Sequence, residues 1–193
     1  MSAMRSPRAP RSALFVPCST AGAFPGDASA QRRLLALAGF PDLDTLPSFC
    51  CGHLRRHGPP SVALRYAPDV WVDAIRSRST LARIPIHLHR PCHDVWDDER
   101  WGAYRRWVEE TAAVDVIETP FRDPCCGFGG VFSTLFDRTA AAMMDHRLAV
   151  LGEAGAKAIV SAEPGCLGHF AAHARDLAVV PLATFLVSRG IAA

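Results

Sequence analysis

The stretch Ile84-Pro85-Ile86-His87-Leu88-His89-Arg90-Pro91-Cys92 is a short apolar strand that runs into a loop at a proline and a cysteine. A second stretch has the same form. Ser12 to Val16 (SALFV) reads as a short buried strand, and it ends at Pro17-Cys18. Each lone cysteine has a downstream pair. Cys18 is followed after 31 residues by Cys50-Cys51, and Cys92 after 32 residues by Cys125-Cys126; Gly52 and Gly127 follow the pairs. The seventh cysteine, Cys166, extends the second copy. A pattern that uses every cysteine in register points to soft-metal or redox chemistry rather than to packing thiols.

The offset of 74 residues between Cys18 and Cys92 implies an internal duplication. The expected architecture is α/β, with two similar lobes, each a small parallel-sheet layer, and the cysteines gathered between them. The predicted boundaries are a basic, disordered tail at 1–12, a first and shortened cysteine-rich repeat at 13–83, and a second, more complete repeat at 84–193. Both lone cysteines then sit where a strand enters a loop, a common ligand position in α/β proteins.

Elements alternate along the chain. Helical composition covers Ala28 to Leu37. Asp69 to Arg78 carries Val70, Trp71 and Ile75 at roughly helical spacing. Asp97 to Ala113 opens with Asp97, Asp98 and Glu99, as a helix dipole favours, and carries Trp101, Tyr104, Trp107 and Val108 on one face. Val114 to Glu118 reads as a strand. Arg138 to Ala154 reads as a helix with a stripe of Met143, Met144, Leu148 and Leu151, stopped at Gly155. Ala158 to Ser161 and Val179 to Leu182 read as strands. Alternation of this kind predicts α/β layers.

Composition excludes several classes. A net charge of +2 creates no field that demands nucleic acid or anionic lipid. No apolar run approaches the ~20 residues of a membrane span. An odd number of cysteines argues against a paired secreted framework and for a reducing cytoplasm. The glycines after Cys126 lack the G-x-G-x-x-G spacing of a dinucleotide site, and there is no G-x-S-x-G elbow.

The chemistry concentrates in Pro-Cys-Cys-Gly-Phe-Gly-Gly-Val-Phe-Ser, Pro124 to Ser133. Adjacent cysteines suit a polynuclear site, where neighbouring thiolates reach different irons. Gly127, Gly129 and Gly130 allow a sharp turn that brings backbone N–H groups toward a bulky anionic centre. Ser133 is placed to N-cap the following helix. Cys92, Cys125, Cys126 and Cys166 supply the thiolate count of a [4Fe-4S] cluster; zinc is the alternative, though its usual C-x-x-C knuckles are missing. Cys18, Cys50 and Cys51 form a poorer set, with His53 and His57 as candidates to complete it. His93 and His169 stand near the second set as supporting donors or substitute ligands.

These residues resemble the cysteine-rich CCG domain proteins. That group includes the cysteine-rich component of heterodisulfide reductase, the iron–sulfur component of glycolate oxidase and, most similar, the lactate-utilisation iron–sulfur proteins. The match runs from Leu14-Phe15-Val16-Pro17-Cys18 through Phe49-Cys50-Cys51-Gly52 and Pro91-Cys92-His93. It continues through Cys125-Cys126-Gly127-Phe128-Gly129-Gly130-Val131-Phe132-Ser133 to Gly165-Cys166-Leu167. The resemblance implies one [4Fe-4S] cluster at the second repeat, held by Cys92, Cys125, Cys126 and Cys166. It also implies electron transfer within a complex of other subunits that oxidises a 2-hydroxyacid, L-lactate above all. A heterodisulfide or thiol–disulfide reductase component is the alternative, and a zinc-stabilised interaction module a further one. The segment between Cys51 and Ile84 is shorter than in relatives and lacks a cysteine expected there, so the first repeat is the one more open to being empty.

Overall fold

A computed structural model describes residues 13–15, 24–40, 44–46, 82–92, 97–119 and 125–190. The tail at 1–12, the expected helix at 69–78, and Cys18, Cys50, Cys51, His53, His57 and His93 lie outside the described residues. The elements in chain order are β1 (Ala13–Phe15), α1 (Asp27–Leu37), β2 (Asp44–Leu46), β3 (Ile84–Leu88), α2 (Asp98–Ala112) and β4 (Val114–Val116). They continue with α3 (Phe132–Leu135), α4 (Asp137–Glu153), β5 (Ala158–Ser161), α5 (Pro164–His173), β6 (Ala178–Pro181) and α6 (Leu182–Ser188). Strands and helices alternate, and the fold is α/β.

Two parallel ladders form. β1 pairs with β2, and β3 to β6 make a four-stranded parallel sheet in the order β4-β3-β5-β6. The chain leaves β3 for β4 on one side, then crosses back to β5 on the other. β3 and β5 therefore flank the point where the strand order reverses, and the carboxyl ends of strands at such a point form a natural crevice.

Both faces of the sheet are covered, as parallel sheets require. Successive strand residues point to opposite faces. Ile86 and Leu88 of β3 and Ala158 and Val160 of β5 pack with α1, α2 and α6 around Leu34, Val108, Ala112, Phe185 and Leu186. On the opposite face Ile159 packs against Met144 and Leu151 of α4 and Leu167 and Phe170 of α5. Cys126 and Cys166 belong to that second cluster.

Local chemistry explains the helix ends. Asp97 caps α2 by accepting from the Arg100 backbone N–H at 2.8 Å, with Asp98 and Glu99 in the first turn. Gly155, at φ +81°, follows the end of α4. Ser133 does not cap the long helix, contrary to the expectation from its position. It lies inside the short α3 and its hydroxyl donates to the Gly130 carbonyl at 3.1 Å, while Phe136 precedes α4 without a side-chain cap. The turn at Phe136 inserts α3, so the capping position falls elsewhere.

α1 is built into the core of the four-stranded sheet. Its Asp27 is buried and accepts from the backbone N–H (3.0 Å) and hydroxyl (2.8 Å) of Thr184 at the start of α6, and from Gln31 at 2.7 Å. Asp27→Ala leaves these donors unmatched and is expected to cost about 1–3 kcal/mol. Urea unfolding should show a lower midpoint with an unchanged slope. An unaltered midpoint would mean that α1 is not hooked to α6 through this carboxylate.

Candidate metal centre

Three loops leave the carboxyl ends of β3, β4 and β5, and each brings cysteine to the same place. Cys92 follows β3, Cys125 and Cys126 follow β4, and Cys166 sits in the first turn of α5, just after β5. The Sγ atoms of Cys92 and Cys125 are 3.7 Å apart. Cys126 and Cys166 are hydrogen-bonded to each other. The adjacent cysteines of the pair thus reach different partners. Cys92 is exposed, Cys125 half-buried, and Cys126 and Cys166 buried, so the thiols run from the surface inward.

The buried pair shares a proton unequally. The Cys126 thiol is lowered to about 7, first by the hydrogen bond from Cys166. The Phe128 backbone N–H and the Arg147 guanidinium add to that effect against the opposing effect of burial. Cys166 is pushed up by the same hydrogen bond, then by burial and the negative charge of Cys126 and Glu163. Cys92 is pushed up by desolvation and by its contact with Cys125. Thiols that raise one another in this way lose their protons most readily when a cation takes the protons' place.

The glycine loop does what its sequence implies at one point. The Gly127 backbone N–H donates to Cys125 Sγ at 3.4 Å. Gly127 has φ +82°, and a Cβ there would lie 2.9 Å from the carbonyl oxygen of Ala140, the residue on which the loop rests against α4. Gly127→Ala therefore combines a left-handed backbone with a backbone clash, and a loss of at least ~2 kcal/mol is expected. Denaturant titration checks this. A change within ~0.5 kcal/mol, typical of an inert surface site, would mean that the loop is not held against α4. Gly165 serves the site by close approach: a Cβ there would meet the Phe128 ring at 2.7 Å.

One hydroxyl ties the loops together. Ser161, buried at the end of β5, donates to the His89 carbonyl at 3.1 Å and accepts from the Glu163 backbone N–H at 3.1 Å. Glu163 in turn accepts from the Gly165 N–H at 3.0 Å, capping the helix that carries Cys166. On the other flank, Arg90 pairs with Asp98 at 3.0 Å and stacks over Trp101. The chain that leads into Cys92 is thereby fixed to α2.

Two buried histidines and an arginine, which sequence reasoning missed, stand behind the thiols. His87 is pushed down to about 3 by burial and by the neighbouring Arg147, whose guanidinium lies 3.0 Å from its Nε2. Arg147 is buried on the inner stripe of α4 with Ala140, Met144 and Leu151; Met143 and Leu148 are only half-buried. His89 is buried, and one of its ring nitrogens and the Sγ atoms of Cys126 and Cys166 lie within 4.8 Å of one another. The signal was available in Ile84 to His89, where alternation sends His87 and His89 to one face and Ile86 and Leu88 to the other. His169, by contrast, donates to the Ala140 carbonyl and packs against Phe128 and His173.

Converging thiols, a backbone N–H aimed at sulfur, a buried cation and a buried imidazole suit a soft metal or an iron–sulfur centre. Cys92, Cys125, Cys126 and Cys166 are the residues that could hold it.

The family described as the cysteine-rich domain (CCG) matches residues 86–171. The chain is similar to lactate utilization protein A of Geobacillus kaustophilus, at 30% identity over 181 residues, covering 83% of this chain and 76% of that protein. To the Bacillus subtilis protein of the same name it is 33% identical over 109 residues, covering 53% and 43%. To the Halalkalibacterium halodurans protein it is 35% identical over 60 residues, covering 31% and 25%. Measured on these relatives, the aligned part is between a quarter and three quarters of their length.

Proposed function

This chain belongs to the lactate utilization protein A family of cysteine-rich domain proteins, and from that premise we propose that it is the iron–sulfur electron-transfer subunit of a complex that oxidises a 2-hydroxyacid, L-lactate. The observation that carries the reading is the placing of two thiol pairs, Cys92 with Cys125 and Cys126 with Cys166, at the carboxyl ends of three parallel strands.

In this reading Cys92, Cys125, Cys126 and Cys166 would hold a [4Fe-4S] cluster at the second repeat, which would supply one-electron transfer between partner subunits. The chain's own residues do the rest. The thiolates bind, the loop N–H groups at Gly127 and Phe128 and the Arg147 guanidinium offset negative charge at sulfur, and the core of α4 and α5 keeps water from the inner thiols. Removal of hydride from the hydroxyacid belongs to a partner. The setting is the cytoplasm, where thiols stay reduced. No helix among the described residues is long and apolar enough to cross a membrane.

The division into repeats at 13–83 and 84–193 is part of the proposal. It is supported by the shared strand–helix–parallel strand order of β1-α1-β2 and β3-α2-β4 and by the cysteine pattern. Cys18, Cys50 and Cys51 form the first site in this scheme.

A second reading, a structural zinc site, is favoured by one observation. Two thiolates on one tetrahedral ion, with bonds of about 2.3 Å, lie about 3.8 Å apart, and Cys92 and Cys125 are 3.7 Å apart. Iron and acid-labile sulfide per chain on anaerobically purified protein, with EPR before and after dithionite, tests both. About four of each per chain, with a dithionite-dependent signal, is expected. A colourless protein with one zinc and no iron after reconstitution would sink the electron-transfer reading.

A further inference from the structure

We infer that His89 is a nitrogen ligand of the metal centre, joining Cys126 and Cys166 at its buried end; the inference rests on the metal-binding reading above. Three independent observations carry it.

The first is distance. The ring nitrogen and the two Sγ atoms lie within 4.8 Å of one another. Donors of one metal centre lie close together, about 3.6 Å for nitrogen and sulfur and about 3.8 Å for two sulfurs on a tetrahedral ion, so side-chain shifts of up to about an ångström bring all three within reach of one centre.

The second is direction. His89 follows β3 immediately, and alternation along the strand turns it to the face that carries Cys126, Cys166 and α5. That face lies at the reversal of strand order between β3 and β5.

The third is preorganisation. The His89 backbone N–H donates to the Val160 carbonyl at 2.8 Å and its carbonyl accepts from Ser161. The ring stands edge-on to Phe170 at 5.1 Å and is buried. Its backbone is pinned on both sides and its ring is braced, as a ligand held by its supporting contacts should be.

The consequence is a mixed donor set. Cys126, Cys166 and the His89 imidazole stand together, with the Cys92–Cys125 pair as a second thiol pair, and the imidazole supplies a further donor without a further negative charge. A neutral imidazole in place of a thiolate raises the potential of iron–sulfur centres. With His89 bound, the centre would be reduced more readily than one with a thiolate at this position.

The test uses the full chain, reconstituted anaerobically with iron and sulfide and reduced with dithionite. Pulsed EPR is recorded on natural-abundance protein and on protein carrying ¹⁵N-histidine. A nitrogen hyperfine coupling that changes with the label is expected in the parent and in His169→Ala, and its loss is expected in His89→Ala. His89→Cys should keep its iron, lose the nitrogen coupling and show a lower potential than the parent.

An iron-loaded parent without histidine coupling, or a coupling that persists in His89→Ala, would overturn His89 ligation and leave the iron–sulfur reading standing. If His89→Ala does not fold, the isotope comparison on the parent decides alone. A parent that takes up no iron sinks the iron–sulfur reading separately. His89 is then read with cobalt(II) in the same site. A changed visible spectrum in His89→Ala, with that of His169→Ala unchanged, supports ligation, and an unchanged spectrum in His89→Ala overturns it.

Discussion

Cys126→Ser is expected to abolish metal binding at the proposed centre: iron in the reconstituted protein should fall from about four atoms per chain to a small fraction of one. Cys126 has the largest expected effect because it stands at the middle of the donor set. It is buried, adjacent to Cys125, hydrogen-bonded to Cys166 and close to the Arg147 charge. It is also the thiol held most nearly as a thiolate, at about 7. A serine hydroxyl there stays protonated at neutral pH and is a hard, poor ligand for iron. The loss should appear in iron and sulfide analysis and as bleaching of the visible spectrum. Cys50→Ser is the companion experiment, and it should leave the second-repeat iron in place. Equal losses from the two variants would contradict the assignment of the cluster to the second repeat.

Phe170→Ala carries the largest expected change in stability. Phe170 is fully buried in the α4/α5 core, where it packs with Leu167, Met144 and Ile159, and its ring supports the His89 edge. Truncation of a buried phenylalanine to alanine costs about 3–5 kcal/mol, the sum of lost transfer energy and the cavity left behind. For a chain of this size that is a drop of roughly 6–20 °C in Tm. The metal-free protein should be compared with its parent, so that ligand binding does not mask the loss. Phe170→Leu, which keeps most of the volume, should recover much of the Tm. A Tm within about 2 °C of the parent for the alanine variant would place Phe170 outside the core.

Much of the fold is legible in the sequence because local signals agree with it. The apolar runs at Ile84 and Ala158 become the two central strands. The acids at Asp97 to Glu99 start α2, and Asp97 caps it. α4 runs from Asp137 to Glu153, close to the expected bounds; Met144 and Leu151 of the expected stripe are buried, and Ala140 and Arg147 complete the buried face. Arg147 occupies a core position there. Burial of a charge is decided by its partners, here His87 and the nearby Cys126, and those lie far away in sequence. Likewise α1 reads as a helix from composition, but its place in the core of the four-stranded sheet depends on Asp27 meeting Thr184, 157 residues away.

The candidate site divides along the same line. By itself the sequence determined which residues are candidates for soft-metal chemistry, because a cysteine register and a glycine turn are local and chemically distinctive. It also determined that Cys92 follows a strand, because an apolar run ending in Pro-Cys is read without a partner. Only the tertiary structure decided that Cys92 meets Cys125 while Cys126 meets Cys166, and that His89, rather than His169, stands beside the inner thiols. Those choices follow from the strand order β4-β3-β5-β6 and from which face of β3 a residue occupies. Strand order arises from long-range packing of helices on both faces of the sheet. It brings three distant loops to one edge, and no local stretch of the chain encodes that meeting.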